Sequence, residues 1–226
     1  MIKNTKIVCT LGPACDNVKI LEKMVNAGMN VVRINFSHGN YDQFAQIIKN
    51  IRLVSKKLNV PIAIMQDLQG PKIRIGEMPN QGIEIKKGQT LTLSTRNFQG
   101  TPNCFPVQYK NLPNDVHKKD RILIDDGLLE LEVNQVKGTE IICTVINGGL
   151  VKSHKGINVP TASISANPIT IKDKKDLEFG VSQNVDLVAM SFVKSAENVE
   201  ELRTMIKKLK GTAKIIAKIE KPDRKS

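Results

Sequence analysis

Apolar and polar side chains alternate between residues 31 and 40, and this pattern predicts a β-strand with two unlike faces. The apolar face carries Val32, Ile34 and Phe36. The polar face carries Arg33, Asn35 and Ser37, and His38 follows directly. Because unpaired polar groups cost free energy when they are buried, we expect the polar face to belong to a binding site and not to a core.

Similar strand-like runs alternate with helical patterns in the first and last parts of the chain. The strand-like runs are residues 5–12, 29–37, 60–67, 185–193 and 213–220. The helical patterns are residues 17–28, 41–58, 171–183 and 195–209, the first with Asp16 as its expected N-cap and Gly28 after its end. This alternation is typical of a parallel sheet.

The alternation stops between residues 71 and 166, where short β-runs with glycine turns replace it. No long helical pattern fits this segment. We therefore predict two domains: a discontinuous α/β domain of residues 1–70 and 167–226, and an inserted β-rich domain of residues 71–166.

Polar groups mark the ends of four predicted parallel strands. They are Arg33, Asn35 and Ser37 in the second strand, Asp67 in the third, Ser191 in the fourth, and Lys218 with Glu220 in the fifth. Such groups indicate the site of a (β/α)₈ barrel, whereas a doubly wound sheet places its site only where the strand order reverses. Five strands do not close such a barrel. The predicted fold class is α/β, an incomplete (β/α)₈ TIM barrel of about five strands with an inserted small all-β, barrel-like domain.

The formal charge of +12 bears on the expected partner. Basic proteins often bind nucleic acids or anionic small molecules. With no Trp and two Tyr, the chain lacks an evident stacking surface for bases, so phosphorylated metabolites are the favoured partners. It has no apolar run of about 18 residues, so we expect no membrane-spanning helix. Its N-terminus does not have the pattern of a secretory signal. The four scattered cysteines suit reduced thiols of a cytoplasmic protein.

Eight motifs occur in the order in which pyruvate kinases carry them: TKIVCTLGPA, VVRINFSHG, DLQGPKIRIG, DDGLLELEV, HKGINVP, KDLEFG, VDLVAMSFV and AKIE. The chain therefore resembles the N-terminal part of that family over nearly all of its length. The resemblance implies a barrel with a β-rich lid inserted after the third strand. It also implies phosphoryl transfer from phosphoenolpyruvate to ADP, giving pyruvate and ATP. The implied cofactors are Mg²⁺ or Mn²⁺ and K⁺, and the family usually forms homotetramers.

The resemblance assigns roles to the polar strand ends. Arg33 matches the arginine that holds the transferring phosphoryl group, which suits a planar guanidinium. The ligands of a monovalent cation match Asn35, Ser37, Asp67 and the carbonyl of Leu68. His38 and Arg74 match residues beside the nucleotide phosphates, although a surface hydrogen bond is an open alternative for His38.

Lys72 occupies a position where many members of the family carry glutamate. Members with glutamate tend to need K⁺, and members with lysine tend to work without it. An ammonium group can supply the charge that the bound ion otherwise provides. We therefore expect weaker K⁺ dependence, and an ordinary surface lysine is the alternative interpretation.

Further implied site residues lie in the inserted segment and in the last strand. Lys155 matches a lysine that reaches the nucleotide phosphates, and Asp126 matches a residue near the cleft when the lid closes. An Asp-Gly turn between strands explains Asp126 equally well. Lys218 matches the lysine that stabilises the enolate oxygen, and Glu220 matches one carboxylate ligand of Mg²⁺. By itself, a Lys-x-Glu pair is often only a solvated ion pair.

After Glu220 the family pattern continues into further barrel strands, whereas this sequence ends with KPDRKS. We therefore expect exposed sheet edges and an incomplete Mg²⁺ site. Three functions stay open: a pyruvate kinase, a truncated and catalytically inactive remnant that binds phosphate metabolites weakly, and a basic nucleic-acid-binding protein. The third predicts an affinity for DNA or RNA that falls steeply with salt, and we do not expect it because no recognition motif is evident.

Overall fold

The structure is a computed structural model that describes residues 4–162 and 164–219. The chain divides into two compact units. The first, here called the parallel-sheet unit, consists of Met1–Pro71 and Pro168–Ser226. The second, here called the β-unit, consists of Lys72–Asn167. Each unit has its own hydrophobic core.

The first segment of the parallel-sheet unit alternates strands and helices. Its elements are β1 (Ile7–Thr10), α1 (Val18–Asn26), β2 (Met29–Asn35), α2 (Tyr41–Leu58) and β3 (Ala63–Asp67). The N-cap of α1 is Asn17, whose Oδ1 accepts from the Ile20 N–H at 3.0 Å. The prediction of Asp16 as N-cap was therefore wrong by one residue. Gly28 follows the end of α1 with φ +112°, a conformation that favours glycine.

The β-unit is built almost entirely of strands. They are β4 (Ile83–Ile85), β5 (Thr90–Ser94), β6 (Cys104–Pro106), β7 (Arg121–Ile124), β8 (Leu129–Lys137), β9 (Glu140–Asn147), β10 (Gly149–Val151) and β11 (Ile157–Asn158). A single-turn helix, α3 (Leu112–Asp115), lies between β6 and β7. The strands form a six-stranded sheet in the order β11-β7-β8-β9-β5-β6 and a two-stranded sheet of β10 and β4.

After the β-unit the chain returns to α4 (Ile171–Ser182), β12 (Leu187–Met190), α5 (Ala196–Lys208) and β13 (Lys214–Ala217). All five strands of this unit are parallel, and their order is β1-β2-β3-β12-β13. Among the described strands of this unit, sequence order and spatial order agree. This is the arrangement of a barrel wall, because a doubly wound sheet would reverse its strand order at a switch point.

The two faces of the parallel sheet differ as the sequence predicted for β2. Val32, Ile34 and Phe36 are buried in the core that packs against the helices. The other face carries Arg33 and Asn35, which are half-buried. The outer strands β1 and β13 are largely exposed. No helix in the described residues has the length and apolar character needed to cross a membrane.

A buried carboxylate holds the chain where it leaves and re-enters the parallel-sheet unit. The Asp173 side chain accepts from the Gly70 N–H at 3.1 Å and from the Thr170 N–H and hydroxyl at 2.8 and 2.6 Å. Asp173 is fully buried near the start of α4. Its hydrogen bonds fix both chain segments that flank the insertion.

Candidate functional site

Charged side chains from β2, from β3 and from the residue that follows β13 meet at the carboxyl edge of the parallel sheet. Arg33 Nε donates to Asp67 Oδ2 at 2.7 Å, and its NH2 group contacts the same oxygen. Lys218 Nζ lies 2.8 Å from Asp67 Oδ1. The Asp67 side chain is 3% exposed, whereas those of Arg33 and Lys218 are each 31% exposed. A buried carboxylate is therefore paired with two cations that reach the surface.

Parallel pairing explains why residues distant in sequence meet here. Thr10 of β1 pairs with Arg33 of β2, and Asn35 pairs with Asp67 of β3. The Lys218 N–H donates to the Met190 carbonyl at 3.0 Å, which continues the pairing of β13 with β12. Arg33 NH1 also donates to Thr10 Oγ1 at 2.9 Å. We call Thr10, Arg33, Asp67 and Lys218 the Asp67 cluster.

The predicted monovalent-cation ligands lie around this cluster. Asn35 Oδ1 accepts from the Ser37 N–H at 3.0 Å, and the Leu68 carbonyl accepts from the Ser191 hydroxyl at 3.0 Å. With Asp67 they form a set of oxygen ligands, the ligand type that hard cations prefer. These ligands therefore fit such an ion chemically, although the Asn35 and Leu68 oxygens accept protein hydrogen bonds and the two Asp67 oxygens contact Arg33 and Lys218.

The remaining predicted site residues of the parallel-sheet unit are His38 and Glu220. His38 is exposed in the turn after β2, and its N–H donates to the Asn35 carbonyl at 3.4 Å. Glu220, the predicted Mg²⁺ ligand, lies outside the described residues. Within residues 4–162 and 164–219, no three His, Cys, Asp or Glu side chains form a metal-binding group.

A network behind β2 holds the turn that carries Ser37 and His38. Lys172 Nζ donates to the Phe36 carbonyl at 2.7 Å and to Asp176 Oδ2 at 2.6 Å. The Tyr41 hydroxyl donates to Asp176 Oδ1 at 3.0 Å, and its ring stacks on Phe179. Partial burial, and then the hydrogen bond to Asp176, raises the pKa of Tyr41 to about 12. Tyr41 is therefore a neutral hydrogen-bond donor at ordinary pH.

A second cluster of candidate residues belongs to the β-unit. Lys155 Nζ donates to Asp125 Oδ1 at 2.9 Å, and Arg74 NH1 donates to the His154 carbonyl at 3.3 Å. Arg74 also pairs with Gly156 in an isolated antiparallel bridge, so the structure brings Arg74 and Lys155 together. Lys72, at the start of this unit, is half-buried.

The turn between β7 and β8 carries Asp126. Asp125 and Asp126 both have φ +55°, and Gly127 has φ +89°, so the Asp-Gly pair forms a tight loop between two strands. Asp126 is exposed at this loop. Its neighbour Asp125, which the sequence analysis did not select, is the carboxylate that contacts Lys155.

Sequence analysis also missed Thr10 and the contact of Ser191 with Leu68. Thr10 is the last residue of β1, so the rule that polar residues at strand ends form the site applied to it as well. The contact made by Ser191 depends on its rotamer and on the close approach of β3 and β12, which no sequence pattern encodes.

Comparisons with known proteins identify the family of the chain. Residues 2–224 match the family described as pyruvate kinase, barrel domain. The chain is 42% identical over 221 residues to pyruvate kinases of Staphylococcus aureus strains USA300, NCTC 8325 / PS 47 and bovine RF122 / ET3-1. These matches cover 97% of this chain and 38% of each relative. The chain belongs to the pyruvate kinase family.

Proposed function

We propose that this chain carries N-terminal machinery for phosphoryl transfer from phosphoenolpyruvate to ADP, which gives pyruvate and ATP. The observation that supports this function best is the Asp67 cluster, in which Arg33 and Lys218 are held by one buried carboxylate. We propose this particular reaction because the chain belongs to the pyruvate kinase family. The chain spans 38% of the length of its S. aureus relatives. We therefore propose, for this chain, the activity that those whole enzymes have.

Charge placement explains how the cluster contributes. The phosphorus–oxygen bond of phosphoenolpyruvate breaks as an oxygen of the ADP β-phosphate bonds to phosphorus. The electron pair of the broken bond stays on the enol oxygen, and protonation of the enolate carbon gives pyruvate. Arg33 binds the oxygens of the transferring group, and the Lys218 ammonium stabilises the enolate oxygen. Positioning and electrostatic stabilisation dominate this kind of reaction.

The cation sites complete the proposal. Asn35, Ser37, Asp67 and the Leu68 carbonyl would hold a monovalent cation such as K⁺, and Glu220 would contribute to binding Mg²⁺ or Mn²⁺. When bound, the divalent ion neutralises charge on the phosphoryl and substrate oxygens. Lys72 would replace part of the monovalent charge and so reduce the need for K⁺.

The fold assignment is part of the same proposal. The parallel-sheet unit corresponds to part of a (β/α)₈ barrel, and the β-unit corresponds to the inserted lid of residues 71–166. His38, Arg74 and Lys155 would bind the nucleotide phosphates, with Asp126 on the lid. We further propose a cytoplasmic enzyme that forms homotetramers as its family usually does.

A coupled assay with phosphoenolpyruvate, ADP and Mg²⁺ tests the function. Lys218→Ala should lower kcat by about 10²- to 10³-fold, the usual effect of removing a group that stabilises transition-state charge. Lys57→Ala is the matched control, because Lys57 forms an exposed ion pair with Glu22 in the same unit. Equal activity of the Lys218→Ala variant and the control would contradict the proposed role of Lys218.

Binding measurements beside this assay distinguish the other functions. No turnover by the folded wild type, combined with calorimetric binding of ADP or phosphoenolpyruvate, would identify the inactive remnant. Affinity for DNA or RNA that falls steeply with salt would instead indicate a nucleic-acid-binding protein.

Lys72→Glu should increase the dependence of turnover on K⁺, and an unchanged dependence would favour an ordinary surface lysine.

A further inference from the structure

Thr10 is the one member of the Asp67 cluster that the proposed function leaves without a role. It ends β1 and pairs directly with Arg33 in the parallel register. Its hydroxyl oxygen accepts from Arg33 NH1 at 2.9 Å, so a side chain of the outermost strand contacts the proposed phosphoryl-binding residue.

The contacts of Arg33 with Asp67 do not fully fix the orientation of the Arg33 guanidinium group. Both Nε and NH2 approach the same oxygen, Oδ2, because Oδ1 faces Lys218. Two donors that converge on one oxygen allow the guanidinium to pivot about that point. This arrangement differs from a bidentate pair, in which two oxygens fix the plane of the group.

Thr10 supplies the second point of attachment. Its hydroxyl contacts NH1, the terminal nitrogen that does not contact Asp67. Of the five N–H donors of the guanidinium, three are then engaged and two have no partner among the described residues. Since the Arg33 side chain is 31% exposed, these two donors can reach the oxygens of an incoming anion.

We propose that Thr10 is a positioning residue that fixes the Arg33 guanidinium for a phosphoryl group. This inference rests on the proposed function and adds a residue to it. Thr10 acts through Arg33 alone, so its loss should affect the substrate that Arg33 binds. Binding of the nucleotide should not change.

The test compares Thr10→Val, which replaces the hydroxyl with a methyl group, with Thr10→Ser, which keeps the hydroxyl. Thr10→Val should raise the KM for phosphoenolpyruvate by about 3- to 10-fold, the usual net effect of losing one hydrogen bond at a partly exposed site. The KM for ADP should stay unchanged, and Thr10→Ser should stay close to wild type. Thr90→Val, at an exposed strand position of the β-unit, is the matched control and should have no effect.

Two results would overturn the inference. One is an equal rise of both KM values in Thr10→Val, and the other is a Thr10→Ser variant as impaired as Thr10→Val. Either result would mean that the hydroxyl does not act through Arg33. A general structural role of Thr10 would change both substrates alike.

Binding of inorganic phosphate distinguishes failure of this inference from failure of the proposed function. Phosphorus NMR titration of the wild type, Thr10→Val, Thr10→Ser and Thr90→Val measures this binding without turnover. Selective weakening in Thr10→Val would support the positioning role even in a protein that does not turn over. Phosphate binding that is absent, or equal in all four proteins, would contradict it.

Discussion

The two units of this chain bury different kinds of side chain. Of the seven polar or charged residues buried in the described parts of the chain, five belong to the parallel-sheet unit and two to the β-unit. The five are Gln66, Asp67, Asp173, Asp176 and Ser191, and the two are Ser94 and Asp115. The β-unit depends mainly on its apolar core, whereas the parallel-sheet unit places buried carboxylates beside its proposed site.

This difference shows where each unit can tolerate change. The core of the β-unit contains many fully buried aliphatic side chains, so its stability should follow apolar volume. The parallel-sheet unit combines an apolar layer under its helices with a charged strand edge and exposed outer strands. Its stability should therefore depend on hydrogen bonds and ion pairs at a few positions.

Removing apolar volume from the β-unit should have the largest effect. Leu131 lies in β8 and is fully buried, so Leu131→Ala should lower the free energy of unfolding by about 2–5 kcal/mol. Val8 lies in β1 of the other unit and is 51% exposed, so Val8→Ala should cost less than about 1 kcal/mol. Urea unfolding followed by circular dichroism measures both. Equal costs would mean that the outer strand β1 is covered in solution.

Breaking the central ion pair should have the next largest effect. Asp67→Asn keeps the shape of the side chain but leaves two cations beside a neutral amide. We expect a loss of about 2 kcal/mol, less than for a fully buried pair because Arg33 and Lys218 are each 31% exposed. Glu22→Gln is the matched control, since Glu22 pairs with Lys57 at the surface, and it should cost less than about 1 kcal/mol.

The same urea measurement decides this comparison. An Asp67→Asn variant as stable as the Glu22→Gln control would show that Asp67 does not hold the strand edge together. The parallel-sheet unit would then resemble the β-unit in depending mainly on its apolar core.

The elements of the parallel-sheet unit were predictable because its signals are local. Helix α2 occupies the predicted residues 41–58, and Asn40 with Gln43 forms a capping box at its start. The alternation of β2 identified its buried face, including Val32. Asp16 was chosen as a cap because it is a good N-cap type, but its equally suitable neighbour Asn17 has the cap geometry.

The partners within the site were less predictable than its location. Arg33 and Asp67 were both selected, but their direct contact depends on the register of β2 and β3. The contact between Lys155 and Asp125 depends on the positive φ values of the loop that carries Asp125. Sequence patterns show which residues share a face or an edge, whereas rotamers and register determine which atoms meet.

Adding a methyl group at a closely packed glycine of the parallel-sheet unit should lower the free energy of unfolding moderately. Gly180 lies in α4, and a Cβ added there would lie 2.2 Å from the buried Oε1 of Gln66. That Gln66 side chain also donates to the Asp176 carbonyl at 2.6 Å. Gly180→Ala gains helix propensity of about 1 kcal/mol, but the clash should outweigh it and give a net loss of about 1–2 kcal/mol.

Gly12→Ala is the matched control, because no atom lies within 4 Å of a Cβ at that position. It should change stability by less than about 0.5 kcal/mol. Thermal unfolding measures both variants. A Gly180→Ala variant more stable than wild type would show that the Gln66 amide moves aside, and that this buried polar group is less constrained than the comparison of the two units suggests.

The smallest effect should come from the hydroxyl of Tyr41, an exposed member of the network around the buried Asp176. Tyr41→Phe keeps the ring stacked on Phe179 but removes the hydrogen bond to Asp176, which should cost about 1 kcal/mol at neutral pH. The pKa of Tyr41 is raised from 10.0 to about 12 in the folded protein, so its contribution is complete below pH 10 and is lost as pH rises through 12. The difference in unfolding free energy between wild type and Tyr41→Phe, measured by urea unfolding from pH 8 to 12, should therefore shrink above pH 10. Since other titrating groups are common to both proteins, a constant difference would mean that the hydroxyl does not donate to Asp176.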